Sequence, residues 1–261
     1  MTGFLDNKTA IVYGAGGGIG SAVASAFARD GAKVYLAGRT KATLDEAAQA
    51  IADDGGSASV AVLDATDEAA VDEHVRQVVA ETGSVDVSLN LISRGDVQGT
   101  PLVEMTTEQM LRAINTGLGS NFITARAAAR QMATQGSGVI LHLNSASGDG
   151  AMPGMGSTGP ADAAIESFMR YLAAEVGPSG VRVCGIWTAG VAETLSDEKI
   201  AEVAPGGPTA EQALQAIAGM AALRRTPRLV NVAEVAAFLA SDRAAGMTGS
   251  MTNVTCGLVL R

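Results

Sequence analysis

The sequence predicts an α/β fold: a Rossmann-like, doubly wound parallel sheet flanked by helices on both faces. Three observations predict it. Short apolar runs alternate with longer segments of helical periodicity along most of the chain. The connections between the runs are long enough to contain helices, as parallel pairing requires. A glycine cluster at residues 14–20 separates the first apolar run from the first helical one, the place where doubly wound sheets hold anionic ligands.

Taken in order, residues 9–13 read as a strand and 19–30 as a helix, followed by strand 33–37 and helix 41–53, then strand 58–63 and helix 68–81. Strand 85–91 precedes a long helix through 106–133, and strand 138–144 precedes a helix at 158–176. Strands at 181–187 and about 250–255 complete the sheet. Residues 193–227 break the alternation; rich in Ala, Gly, Pro and Glu, they read as a surface excursion or as a lid over a substrate cleft. No internal repeat or linker divides the chain, so residues 1–261 are expected to form one dinucleotide-binding domain.

Composition narrows the function classes. With 47% hydrophobic and only 17% charged residues, the chain can bury a sizeable core. A net charge of -9 argues against a broad phosphate-binding surface, so nucleic acid is not an expected partner. No apolar run reaches membrane-spanning length and no signal-like segment opens the chain, so a cytoplasmic protein with no membrane partner is expected. Cys184 and Cys256 lack metal-ligand spacing and sit in strand-like apolar stretches, as ordinary thiols of a reducing compartment would; no metal site is expected. His142 alternates with apolar neighbours and His74 lies on a polar helix, and both read as structural.

The glycine cluster carries the first functional reading. Glycines permit a tight turn and let backbone N–H groups approach a pyrophosphate, whose charge the following helix N-terminus favours. A packing turn without a ligand would use the same residues.

Beyond these points the chain resembles the short-chain dehydrogenase/reductase family over nearly its whole length. Tyr13-Gly14-Ala15-Gly16-Gly17-Gly18-Ile19-Gly20 is similar to that family's Thr-Gly-x-x-x-Gly-x-Gly, with tyrosine for threonine. The resemblance implies that Gly14, Gly16, Gly18, Ile19 and Gly20 bind cofactor, and that Asp64, in Leu-Asp-Ala-Thr-Asp, touches the adenine ring. Asn90 is what is left of the family's Asn-Asn-Ala-Gly, Asn115 matches its active-site asparagine, Ser145 its catalytic serine, and Thr194 its nicotinamide-contacting threonine. The second strand ends in Gly38-Arg39 without an acid. Arg39 suits a ribose 2′-phosphate, which a carboxylate would repel, so NADP is expected ahead of NAD.

The catalytic half departs from the family. Counting forward from Ser145 and back from Ala163-Ala164-Ile165-Glu166 places Thr158 at the position of the family's proton-donating tyrosine and Asp162 at that of its lysine. A threonine hydroxyl is a poor acid without an activating partner, and Asp162 cannot supply a positive charge. Asp162, Asp149 and Ser145 are candidate substitutes, each with an ordinary capping or turn reading. Trp187 and Thr188 end a strand near the expected nicotinamide pocket, where packing also explains them.

The leading expectation is an NADP-binding oxidoreductase with an atypical active site, acting on an unidentified small molecule. A catalytically silent nucleotide-binding protein, and a non-redox lyase or isomerase on the same scaffold, are the alternatives. Restoring Tyr at 158 and Lys at 162 together is expected to raise ketone reduction. The helices through 106–133 and 158–176 correspond to those by which family members pair, so a homodimer or homotetramer is expected.

Overall fold

A computed structural model describes residues 3–150 and 152–260. Seven parallel strands form one sheet in the order β3-β2-β1-β4-β5-β6-β7: β1 Thr9–Tyr13, β2 Lys33–Gly38, β3 Ser57–Val62, β4 Val87–Asn90, β5 Gly138–Ser145, β6 Val181–Thr188 and β7 Ser250–Val254. The intervening helices are α1 Gly18–Arg29, α2 Lys41–Asp53, α3 Glu68–Thr82, α4 Thr107–Gln135, α5 Thr158–Val176, α6 Asp197–Val203, α7 Ala210–Met220 and α8 Leu229–Ala240.

Alternate residues of each strand point to opposite sides, which divides the core in two. Ala10, Val12, Val34, Leu36 and Leu89 pack with Phe27 of α1, Leu44 of α2 and Val232 of α8. Ile11, Tyr13, Tyr35, Ile140 and Val183 face Val75 of α3, Met132 of α4 and Ile165 of α5. Burial on both faces is why the strands read as continuous apolar runs.

The helical periodicity of the sequence does not single out α8. Its sequence, Leu-Val-Asn-Val-Ala-Glu-Val-Ala-Ala-Phe-Leu-Ala, has apolar residues nearly all round, and a helix buried along much of its surface lacks a polar face to betray its period. β4 is also shorter than the apolar run 85–91.

The chain builds β1, β2 and β3 toward one edge, then returns to place β4 on the other side of β1. Tyr13 pairs with Asn90 at the carboxyl ends of these two strands. This switch in direction opens the crevice where doubly wound sheets bind ligands, and the glycine turn and the segment after β4 both emerge there. Residues 193–227 contain a single 3-10 turn, α6 and α7. Glu193 anchors the segment, accepting from Arg228 Nε at 3.0 Å and from the Leu229 backbone N–H at 3.1 Å. No helix among the described residues is long and apolar enough to cross a membrane.

Candidate active site

The glycine turn leaves no room for a side chain at Gly14 or Gly20. Gly14 has φ +81°, and a Cβ on it would lie 2.7 Å from Leu91 O; one on Gly20 would lie 2.2 Å from Gly14 O. The α1 ladder opens with Ser21 N–H donating to Gly17 O at 2.8 Å. The N–H groups of Gly18, Ile19 and Gly20 therefore precede it, without partners inside the helix. No acidic residue stands in the first turn, leaving the helix dipole free to favour an anion.

Thr194 joins this turn across the crevice, its Cγ2 lying 3.1 Å from the Cβ position of Gly18. Arg39 follows β2 directly and is exposed. Asp64 accepts the Thr66 N–H at 2.9 Å and its hydroxyl at 2.8 Å. The Thr66 backbone bond first, then its hydroxyl, hold this carboxyl below its ordinary range, helped by the charge of Arg39. Arg39 and Asp64 thus stand together at the far end of the crevice. Asn90 is engaged within the fold, where its Nδ2 donates to Thr124 Oγ1 at 3.1 Å and its Oδ1 accepts the Ile92 N–H at 2.9 Å. With both ends of its amide committed in this way, Asn90 positions the chain after β4.

That chain carries the group the sequence did not reveal. The Arg94 guanidinium pairs with Asp162 Oδ1 and also reaches Asp96 Oδ2 at 3.1 Å. Asp162 is fully buried, and its Oδ2 accepts the Ser145 hydroxyl at 2.5 Å. Asn144 Nδ2 donates to Asp162 O at 3.2 Å and fixes α5 against the end of β5. Thr158, 1% exposed, accepts at Oγ1 from Gln98 Nε2 at 3.1 Å. Ser145, Asp162, Thr158, Arg94, Asp96 and Gln98 therefore form one cluster at the carboxyl ends of β4 and β5.

Burial pushes the Asp162 carboxyl up from 3.8 to about 6, with Arg94 and the Ser145 hydrogen bond holding it down. Burial also opposes the Arg94 charge, but Asp162 and Asp96 outweigh that effect and keep the guanidinium above its ordinary value. At neutral pH the two are an ion pair, and Asp162 titrates close enough to neutrality to exchange a proton.

Asn115 is not part of this cluster. It lies on the exposed side of α4 beside Leu118, Phe122 and Tyr171. Two residues along a helix is a rotation of roughly 200°, and Gly117 is the residue turned inward: a Cβ there would come within 2.7 Å of Arg94 Cδ. Trp187, nearly buried, donates its indole N–H to Glu166 Oε1 at 2.8 Å. His74 and His142 are buried and their pKa values are lowered to about 4 by that burial, so both are neutral and structural at pH 7. Beside Ser147 opens a cleft of about 840 Å³ walled by Leu102, Val103, Met152, Met155 and Pro160.

Residues 14–259 match the family model described as enoyl-(acyl carrier protein) reductase. The chain is 32% identical to the 3-oxoacyl-[acyl-carrier-protein] reductase FabG of Chlamydia trachomatis, covering 99% of this chain and 100% of that protein. The structure is similar to NAD+-bound xylitol dehydrogenase, with a TM-score of 0.86 and 26% identity over 97% of this chain and 99% of that one. It is also similar to a short-chain type dehydrogenase/reductase from Mycobacterium marinum, with a TM-score of 0.83 and 27% identity over 98% and 97% of the two chains. The chain belongs to the short-chain dehydrogenase/reductase family of NAD(P)-dependent oxidoreductases.

Proposed function

We propose that the protein is an NADP-dependent oxidoreductase whose active site keeps Ser145 and uses Asp162 paired with Arg94 where the family has its Tyr-x-x-x-Lys pair. The observation that carries this reading is the hydrogen-bonded chain from the Ser145 hydroxyl through Asp162 to Arg94, built at the sheet switch point beside an intact glycine turn. The turn fits a dinucleotide because Gly14 and Gly20 let it close tightly, a Cβ on either colliding with neighbouring backbone, and because no acidic residue stands in the first turn of the helix that follows. Gly14, Gly16, Gly18, Ile19 and Gly20 would hold the pyrophosphate, Arg39 and Asp64 the adenosine half, and Thr194 the nicotinamide end. When bound, the cofactor supplies or accepts a hydride; the chain's own residues orient the acceptor and exclude water. Ser145 and Asp162 form the polar wall at the reacting end, and Arg94 keeps Asp162 ionised despite its burial.

The choice of NADP rests on exposed Arg39 at the end of β2 and the lack of an acid there. Both cofactors should be titrated into wild type and Arg39→Ala, with NADPH expected to bind more tightly to wild type. The substitution is expected to weaken NADPH by about tenfold or more, the loss of a charge-assisted phosphate contact, and to leave NADH nearly unchanged. Equal losses would assign Arg39 to the surface.

One observation favours a silent nucleotide-binding protein instead: Asp162, Ser145 and Thr158 all have partners inside the protein. Hydride transfer separates the two readings. Residues 193–227 are read as the lid, since the Gln98 N–H donates to Val203 O of α6 at 2.6 Å and links them to the loop holding Arg94. Cys184 and Cys256 are free thiols.

For assembly, we read α4 and α5 as a pairing face: Phe122 is 43% and Tyr171 72% exposed there, and two-fold association is the commonest way to cover such a patch. Sedimentation is expected to give a dimer or tetramer at micromolar concentration, with Tyr171→Glu shifting it toward monomer. A monomeric wild type would contradict this face.

A further inference from the structure

Resting on the oxidoreductase reading above, we infer that this site takes a cationic carbon electrophile, an iminium ion, in preference to a neutral ketone. Three features of the cluster lead there. The first is charge. Asp162 and Asp96 share one guanidinium, which leaves one formal negative charge in a site that is largely removed from water, where Coulomb interactions are strong. A cation entering this space neutralises it.

The second is hydrogen-bond polarity. An ionised carboxylate can only accept, so the 2.5 Å contact commits the Ser145 proton to Asp162; the Ser145 oxygen, which also accepts the Ser147 N–H at 3.3 Å, can then meet a ligand only as an acceptor. A ketone oxygen needs a donor there; the N–H of a protonated imine, or a positively charged nitrogen without one, is matched by an acceptor. The third is an unused lone pair. Asp96 Oδ1 is buried and has no hydrogen-bond partner among the described residues, an arrangement that is costly unless a donor or a positive charge comes to it.

The reaction balances without a protein acid. Hydride passes from the dihydronicotinamide to the iminium carbon, and the carbon–nitrogen π pair goes to nitrogen as a lone pair. The products are a neutral amine and the oxidised cofactor. Reduction of a ketone would instead leave an alkoxide, and Thr158 offers no phenol to protonate it. Thr158 and Asp162, which look like losses against the family pattern, are what this electrophile requires.

The test compares two acceptors of similar shape, N-methyl-3,4-dihydroisoquinolinium, which is permanently charged, and neutral 1-tetralone. Calorimetric titration into the NADP+ complex reads binding, and NADPH oxidation reads turnover. The cation is expected to bind at least about tenfold more tightly and to be reduced with the higher kcat/KM. Asp96→Asn and Asp162→Asn are each expected to lose most of that preference in the binding assay while retaining NADPH affinity; two variants are used because Asp162→Asn disturbs a buried ion pair. Tetralone binding or reduction equal to that of the cation would overturn the inference and leave the oxidoreductase reading standing. A cation preference unchanged in both variants would also overturn it. Failure of NADPH to reduce any acceptor would overturn both readings.

Discussion

Arg94→Ala is expected to cost about 3–5 kcal/mol of stability at pH 8, the usual penalty for removing one partner of a buried ion pair. The reason lies in the asymmetry of the pair. Asp162 is fully buried while the Arg94 side chain is 14% exposed, so the variant leaves the less accessible charge without its counterion. The pH dependence has a definite sign. The Asp162 carboxyl already titrates at about 6 in the folded protein, against 3.8 ordinarily, and losing Arg94 raises it further. A carboxyl whose folded value is raised favours folding below its unfolded value and loses that contribution as pH rises through the folded one. The stability deficit of Arg94→Ala should therefore shrink as pH falls from 8 toward 5. Denaturant unfolding at both pH values checks this, and a deficit under about 1 kcal/mol at pH 8 would mean that the pair is not held in a low-dielectric setting.

The second large effect concerns the change that restores the family's catalytic pair. On the sequence alone, Thr158→Tyr with Asp162→Lys is the expected route to ketone reduction. The structure requires a third change, because Lys at 162 would project into the guanidinium of Arg94. The double variant should be destabilised and gain nothing. Adding Arg94→Ala clears the space, and the triple variant is expected to reduce 1-tetralone about 10²- to 10⁴-fold faster than wild type, the range typical of a positioned general acid. Steady-state NADPH oxidation reads the difference. If the double variant matches the triple, Arg94 does not compete for that position.

The contrast between these two routes marks how far the sequence can be read. The sheet is legible because each strand is a run of apolar residues bounded by turns, and the glycine turn because Gly14 to Gly20 sit between one such run and a helix. α8 escapes because its apolar residues surround it. Thr158 and Asp162 are found by counting along the family's spacing; Asp162 accepts the Ser145 hydroxyl, whereas Thr158 bonds to Gln98. Arg94 is hidden, because its partner Asp162 is 68 positions away and only the return of β4 beside β5 brings them together. The available signal is a charged Arg94-Gly95-Asp96 shortly after a buried strand, where a solvated loop is the easier interpretation. Asn115 shows the opposite error: a residue of the expected type stands at a position whose helical phase turns it outward, while the featureless Gly117 makes room for Arg94.

The central proposal is that this site transfers a hydride. The most direct measurement is isotopic: NADPH deuterated at C4, in the (4R) and (4S) forms separately, is incubated with the wild-type protein and N-methyl-3,4-dihydroisoquinolinium, and the amine is analysed by mass spectrometry. One of the two forms is expected to label the product carbon and the other not, with turnover reduced by Asp162→Asn. Tight NADPH binding without deuterium in any product, for this acceptor or for a panel of ketones and conjugated acceptors, would contradict hydride transfer and leave a nucleotide-binding protein that does no redox chemistry.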